Sequence, residues 1–62
     1  MFEVGDVVQL KSGGPHMTVS NIPSFPDHKI HIVECMWFSE VGKVYIEQFG
    51  PSVIFKVPAQ SR

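Results

Sequence analysis

The sequence is short of the residues that build helices: in 62 positions there is one leucine and one alanine, against nine valines, five isoleucines and five phenylalanines. A helical bundle is excluded by that shortage. Branched and aromatic side chains instead fit a pleated, half-buried surface, so the composition predicts strands. Cysteine is also scarce. Cys35 stands alone, so no internal disulfide can form. A chain this small without a disulfide framework is expected in the cytoplasm. Long hydrophobic runs are missing as well. The longest near-apolar stretch, residues 30–38, is interrupted by His31 and Glu34, and no membrane span is expected. Residues 1–6 carry neither a positive segment nor an apolar one, so no secretory signal is expected.

Neither sign of charge dominates. Five basic residues stand against six acidic ones, net charge is -1, and Lys11, Lys29, Lys43, Lys56 and Arg62 are scattered. Without a basic stripe there is little to release counterions from a phosphate backbone, which argues against strong non-specific nucleic-acid binding. Charged residues make up only 18% and apolar ones 44%, which excludes a disordered chain. The length allows one domain, near the lower limit for folding unaided. Self-association as a homodimer, or a partner covering apolar surface, would help to stabilise it.

What is present divides into short pieces, because five glycines and five prolines interrupt the chain. Strands are predicted at residues 7–11, 17–21, 29–38, 43–49 and 54–57. In the first, Val8 and Leu10 share a face opposite Gln9 and Lys11; in the second, Met17 and Val19 alternate with Thr18 and Ser20. Ser12-Gly13-Gly14-Pro15 is a turn between them, with glycines able to take the positive φ a sharp reversal needs. Pro23-Ser24-Phe25-Pro26-Asp27 is a loop, Ser39-Glu40-Val41-Gly42 a hairpin loop, and Gly50-Pro51-Ser52 a turn that continues as a 3₁₀ turn through Val53. The expected architecture is all-β: a five-stranded antiparallel SH3-like barrel with a short 3₁₀ turn before the last strand. It spans residues 1–57 as one domain, with residues 58–62 as a flexible tail.

A hairpin closed by Phe38 opposite Lys43 makes one face of Val33, Cys35 and Trp37 against Gln48, Ile46 and Val44, which is expected core. The other face carries Ile32, Glu34, Met36, Phe38, Tyr45, Glu47 and Phe49. These seven residues are the candidate binding face, because they are too apolar for an ordinary solvated surface. This register sets Glu34 opposite Glu47, an unfavourable pair. A register shift of two, solvation, or an intervening basic group would each relieve it.

Catalytic chemistry has little support. Cys35 lies between Val33 and Trp37 on its face, the setting of a core residue rather than a nucleophile beside a base. His28, His31 and Cys35 are metal-ligand types, but no paired ligand spacing occurs, and an extended strand separates His31 from Cys35 by about 13 Å. Glu34 and Glu47 have no deep cleft for a glycosidase reaction. Ser24, Asp27 and His28 sit too close in sequence for a triad. Ser12-Gly13-Gly14-Pro15 lacks the Lys-Ser/Thr ending of a phosphate loop. No cofactor, metal site or catalytic residue is therefore expected.

The segment Val4-Gly5-Asp6-Val7-Val8-Gln9-Leu10-Lys11-Ser12-Gly13-Gly14-Pro15-His16-Met17-Thr18-Val19, with Val33-Glu34-Cys35-Met36-Trp37-Phe38 and Glu47-Gln48-Phe49, resembles the YodC-like family of small bacterial proteins. The resemblance covers nearly the whole chain. Two departures are a longer loop at residues 22–29 and Ile46 where the family often has a basic residue. The resemblance implies a compact SH3-like β domain with no catalytic residues, and it sets Cys35 within a hydrophobic strand. The expected function is a non-enzymatic binding or adaptor module acting through protein–protein contacts. A nucleic-acid-associated SH3-like module is the alternative, and an enzyme with its site at an oligomer axis is a third.

Overall fold

Five segments, all but the second rich in valine, isoleucine or aromatic residues, form strands: β1 (Val7–Leu10), β2 (Met17–Asn21), β3 (Val33–Phe38), β4 (Val44–Phe49) and β5 (Ile54–Lys56), with a 3₁₀ turn at Pro51–Val53 before the last. These come from a computed structural model that describes residues 2–24 and 31–58. Residues 29–30 of the expected third strand, the loop residues Phe25, Pro26, Asp27 and His28, and all of the expected tail but Pro58 lie outside the described residues. Within them the third strand starts at Val33, with His31 and Ile32 preceding the ladder.

The strands make one antiparallel sheet in the order β4-β3-β2-β1-β5. The sheet is open, with β4 and β5 at its edges. The last strand returns beside the first: Val8 faces Lys56, Gln9 faces Phe55 and Leu10 faces Ile54. Hydrogen bonds from Lys11 N–H to the Val53 carbonyl (2.9 Å) and from Val57 N–H to the Val7 carbonyl (2.8 Å) extend that pairing at both ends. The β1–β2 turn depends on its two glycines. Gly13 and Gly14 have φ of 109° and 110°, which a side chain would disfavour. Gln9 Nε2 donates to the Gly14 carbonyl at 2.7 Å and steadies the turn. Pro51 begins the 3₁₀ turn, where its missing N–H leaves nothing unpaired.

Alternation puts the core on one side of the sheet. Val8, Met17, Val19, Val33, Cys35 and Ile54 are buried, and Phe2, Leu10, Ile22, Trp37 and Phe49 pack around them. The predicted alternation in β1 and β2 holds: Val8, Met17 and Val19 are inside, while Val7 and Thr18 are exposed. Full burial of one Val or Ile side chain is worth roughly 1.5–3 kcal/mol, so each member of so small a core is a large share of the total. No residue of β4 is fully buried.

The β3–β4 register differs by one residue from the expected one. Ser39 N–H donates to the Lys43 carbonyl and Gly42 N–H to the Ser39 carbonyl, both at 2.9 Å. The hairpin is thus closed by Ser39 and Lys43 around a three-residue loop, Glu40-Val41-Gly42, whose last residue has φ of 84°. Such loops combine a tight turn with one left-handed residue, and glycine takes that place without strain. The pairs become Val33–Phe49, Glu34–Gln48, Cys35–Glu47, Met36–Ile46, Trp37–Tyr45 and Phe38–Val44. A slip of one residue moves every β4 side chain to the opposite face. Val44 and Ile46, expected in the core, lie on the solvent side. Tyr45, Glu47 and Phe49, expected outside, lie on the side of Cys35 and Trp37.

Candidate functional site

The seven expected face residues do not share one surface. Glu34, Met36 and Phe38 point to the solvent side of the sheet, opposite Gln48, Ile46 and Val44. Tyr45, Glu47 and Phe49 stand on the core side with Trp37. Ile32 is half-buried ahead of β3 and lines a hollow of about 320 Å³ with Phe2, Ile22 and Pro51. Two surfaces replace the single one expected.

The solvent side is apolar across several strands. Met36 is half-buried, Phe38 is 73% exposed, Val44 56% and Ile46 53%. Cross-strand pairing aligns Val7, Thr18, Met36 and Ile46 in one row, with Phe38 and Val44 beside it. A groove of about 380 Å³ lies here between His16, Thr18, Met36, Phe38 and Val44. Sequence reasoning missed Val44, Ile46, Val7 and His16 as members of this surface. The available signal was Gly42, whose place at the end of a three-residue loop sets the parity of β4.

Glu34 escapes the like-charge conflict because Gln48, not Glu47, stands opposite it. On its other side, the β2–β3 pairing shifts between Val19–Cys35 and Asn21–Glu34 and leaves Ser20 as an extra residue. The Ser20 hydroxyl donates toward the Glu34 carbonyl at 3.2 Å and toward Oε1 at 3.4 Å, and Gln48 Nε2 approaches Oε2 at 3.5 Å. Glu34 is held as a structural acceptor on this edge of the apolar row.

The core side of the hairpin is aromatic. Trp37 stacks on Tyr45 with ring centres 5.6 Å apart and planes 22° from parallel, and Phe49 is tilted against Trp37 at 6.4 Å. Lys43 Nζ lies 5.5 Å from the Tyr45 ring centre, within the range of a cation–π contact. Trp37 accordingly packs against the core, as its place in the strand predicts, and Phe38 faces out.

Cys35 has no accessible surface, and its thiol points toward the Val33 carbonyl at 3.8 Å. Burial pushes its pKa above the ordinary thiol range, and the charge of Glu34 adds to the effect. A neutral, enclosed thiol is a poor nucleophile. His31 is exposed, and among the described residues no three His, Cys, Asp or Glu side chains converge on a common point. No helix among the described residues is long and apolar enough to cross a membrane.

The raised thiol pKa has a measurable consequence. The unfolded chain loses the Cys35 proton at lower pH than the folded one, so the folded state binds more protons in that interval. Stability from this group is complete below the ordinary thiol pKa and declines as pH rises through it. Urea denaturation across the alkaline range should give a steeper loss of stability for the native chain than for Cys35→Ala. Equal slopes in the two would remove Cys35 as the source.

The fold and its surfaces define a small all-β protein with exposed apolar area on the solvent side of its sheet. Residues 3–54 match the family model described as uncharacterized small protein (DUF2158), and the chain belongs to that family. The match includes β1 to β4 in full and ends at the first residue of β5. Comparison with curated proteins and with solved structures finds no match.

Proposed function

We propose that the chain is a non-enzymatic binding module that works through protein–protein contacts, using the solvent side of the β3–β4 hairpin. The observation that carries this reading is the joined apolar surface of Met36, Phe38, Val44 and Ile46. A side of a sheet that remained in water would alternate to polar residues there, and contiguous apolar area of this kind marks contact sites. Phe38 supplies the largest exposed side chain of the surface, in the manner of an aromatic anchor. The strand order, with β5 returning beside β1 after a 3₁₀ turn, supports an SH3-like topology. The likeness of the Gly5-Asp6 and Lys11-Ser12-Gly13-Gly14-Pro15 segments to the YodC-like pattern supports the same reading. A reduced, buried Cys35 is in keeping with a cytoplasmic location.

Among the described residues, Lys43 and Lys56 are not gathered as nucleic-acid binding would need. Lys56 is paired with Asp6 at 3.5 Å on a different part of the sheet from Lys43. The test is recovery of proteins from lysate on immobilised wild-type chain, Phe38→Asp and Ile46→Asp. Both positions are exposed, so the variants should keep wild-type circular dichroism and stability within about 0.5 kcal/mol. Proteins recovered by the wild type should be lost from both variants. Identical recovery by all three would show that this side of the hairpin is not the contact surface.

A further inference from the structure

The two edges of the sheet are unlike. β5 is three residues long, carries Lys56 and is followed by Pro58, features that discourage a further strand. β4 is six residues long, is paired without a bulge, and contains neither Pro nor Gly. Among the described residues nothing pairs with its outer side. Its sequence, Val44-Tyr45-Ile46-Glu47-Gln48-Phe49, is rich in strand-forming residues, so an uncovered β4 is a standing template for another strand.

The backbone limits which strand fits. Because the Lys43 carbonyl accepts from Ser39 N–H, the alternation of an antiparallel pair turns the backbone groups of Tyr45, Glu47 and Phe49 toward β3. Those of Val44, Ile46 and Gln48 point outward. If a second β4 pairs antiparallel across a two-fold axis, outward residues must meet outward residues. The axis must then pass through a residue position rather than between two. Centred on Glu47, it opposes two carboxylates. Centred on Ile46, it sets Lys43 against Phe49 and Val44 against Gln48. Centred on Val44, it sets Ile46 against Gly42.

Centred on Tyr45, it satisfies the side chains of both copies. Lys43 of each copy meets Glu47 of the other, Val44 meets Ile46, and Tyr45 meets Tyr45. Among the described residues the ion pair is Lys56–Asp6, which uses neither Lys43 nor Glu47. We propose that β4 pairs with β4 of a second copy in this register, joining two open sheets into one of ten strands. The inference rests on the reading that the chain works through protein contacts, and it names a second copy as the partner at the β4 edge. The joined sheet carries an aromatic row of Trp37, Tyr45, Tyr45 and Trp37 across the axis on one side. On the other it makes the two Phe38–Val44 and Met36–Ile46 surfaces continuous.

The test is sedimentation equilibrium on the full chain from about 1 to 100 μM, a range that reports micromolar self-affinity. The wild type should be a dimer. Lys43→Glu and Glu47→Lys should each weaken dimerisation about tenfold or more, since symmetry turns two attractive pairs into two repulsive ones. The double exchange should restore it to within a few-fold of wild type. Ile46→Pro removes an outward N–H, a replacement an edge strand tolerates, and should give a folded monomer. A monomeric wild type, a dimer indifferent to Ile46→Pro, or charge exchanges that fail to rescue one another would each overturn the proposal. A monomer that still recovers proteins through Phe38 would overturn the β4 dimer alone. A β4 dimer whose recovery from lysate ignores Phe38→Asp would instead overturn the contact surface and leave the dimer standing.

Discussion

Replacing Ile54 with alanine is expected to bring the domain to the edge of unfolding at room temperature. Ile54 is 2% exposed and is the only buried residue of β5. Truncating a buried isoleucine costs about 2–5 kcal/mol through lost transfer energy and the cavity left behind. A single core in a domain of this size rarely supplies more than about 3–5 kcal/mol in total, so the two quantities are comparable. The position matters as much as the size. Ile54 faces Leu10 across β1–β5, and β5 is held there by three residue pairs. Losing the one side chain that anchors the strand leaves Val8 and Leu10 partly uncovered. The measurement is urea denaturation followed by circular dichroism, with Phe55→Ala as the control. Phe55 is on the opposite side and 40% exposed, so its loss should cost less than about 1 kcal/mol. A similar midpoint for Ile54→Ala and wild type would mean that β5 is not part of the cooperative unit.

Much of this frame is legible in the sequence because local chemistry points one way. β2 occupies residues 17–21 as predicted, since Pro15 stops extension on one side and Met17 and Val19 alternate with polar residues. The 3₁₀ turn follows from Gly50-Pro51, and the inward placement of Val8, Cys35 and Trp37 follows from period two. β4 is different. In Val44-Tyr45-Ile46-Glu47-Gln48-Phe49, both parities carry apolar side chains: Val44 and Ile46 on one, Tyr45 and Phe49 on the other. Hydrophobicity therefore does not choose the register. The choice is made by a single backbone feature, the positive φ of Gly42, which favours a three-residue loop over the four-residue loop expected.

The pairing of Glu34 with Glu47 was the warning that the expected register was unfavourable. The shift of two that would separate them keeps the faces; the observed shift of one exchanges them. The bulge at Ser20 had no signal of its own, since serine is ordinary in a strand. Openness of the sheet is equally silent in a hydrophobic pattern. Closure depends on twist and strand length, and β4 with only Phe49 half-buried leaves an edge where a barrel wall was expected. The expected face divides for the same reason: Glu34, Met36 and Phe38 lie on one side of the sheet, and Tyr45, Glu47 and Phe49 on the other.

Trp37 and Phe38 provide the sharpest check on that exchange of faces, because they are adjacent in the chain and opposite in the sheet. Trp37→Ala is expected to lose about 2–3 kcal/mol, below the range for a fully buried tryptophan because its ring is only half covered. Part of the loss is the stacking on Tyr45 and the tilted contact with Phe49, each worth about 0.5–1.5 kcal/mol beyond area. Phe38→Ala removes a side chain of similar bulk that is 73% exposed, and should change stability by no more than about 0.5 kcal/mol. Far-UV circular dichroism in urea is the appropriate reading, since Trp37→Ala also removes the one tryptophan fluorophore. The partner residue on β4 separates the two registers. With Tyr45 opposite Trp37, adding Tyr45→Ala to Trp37→Ala should cost less than the sum of the single changes, because the stacked pair is lost only once. With Val44 opposite Trp37, the same two changes would act on different sides of the sheet and add. A strictly additive cycle would therefore return Val44 and Ile46 to the core and remove the apolar outer surface on which the proposed contacts depend.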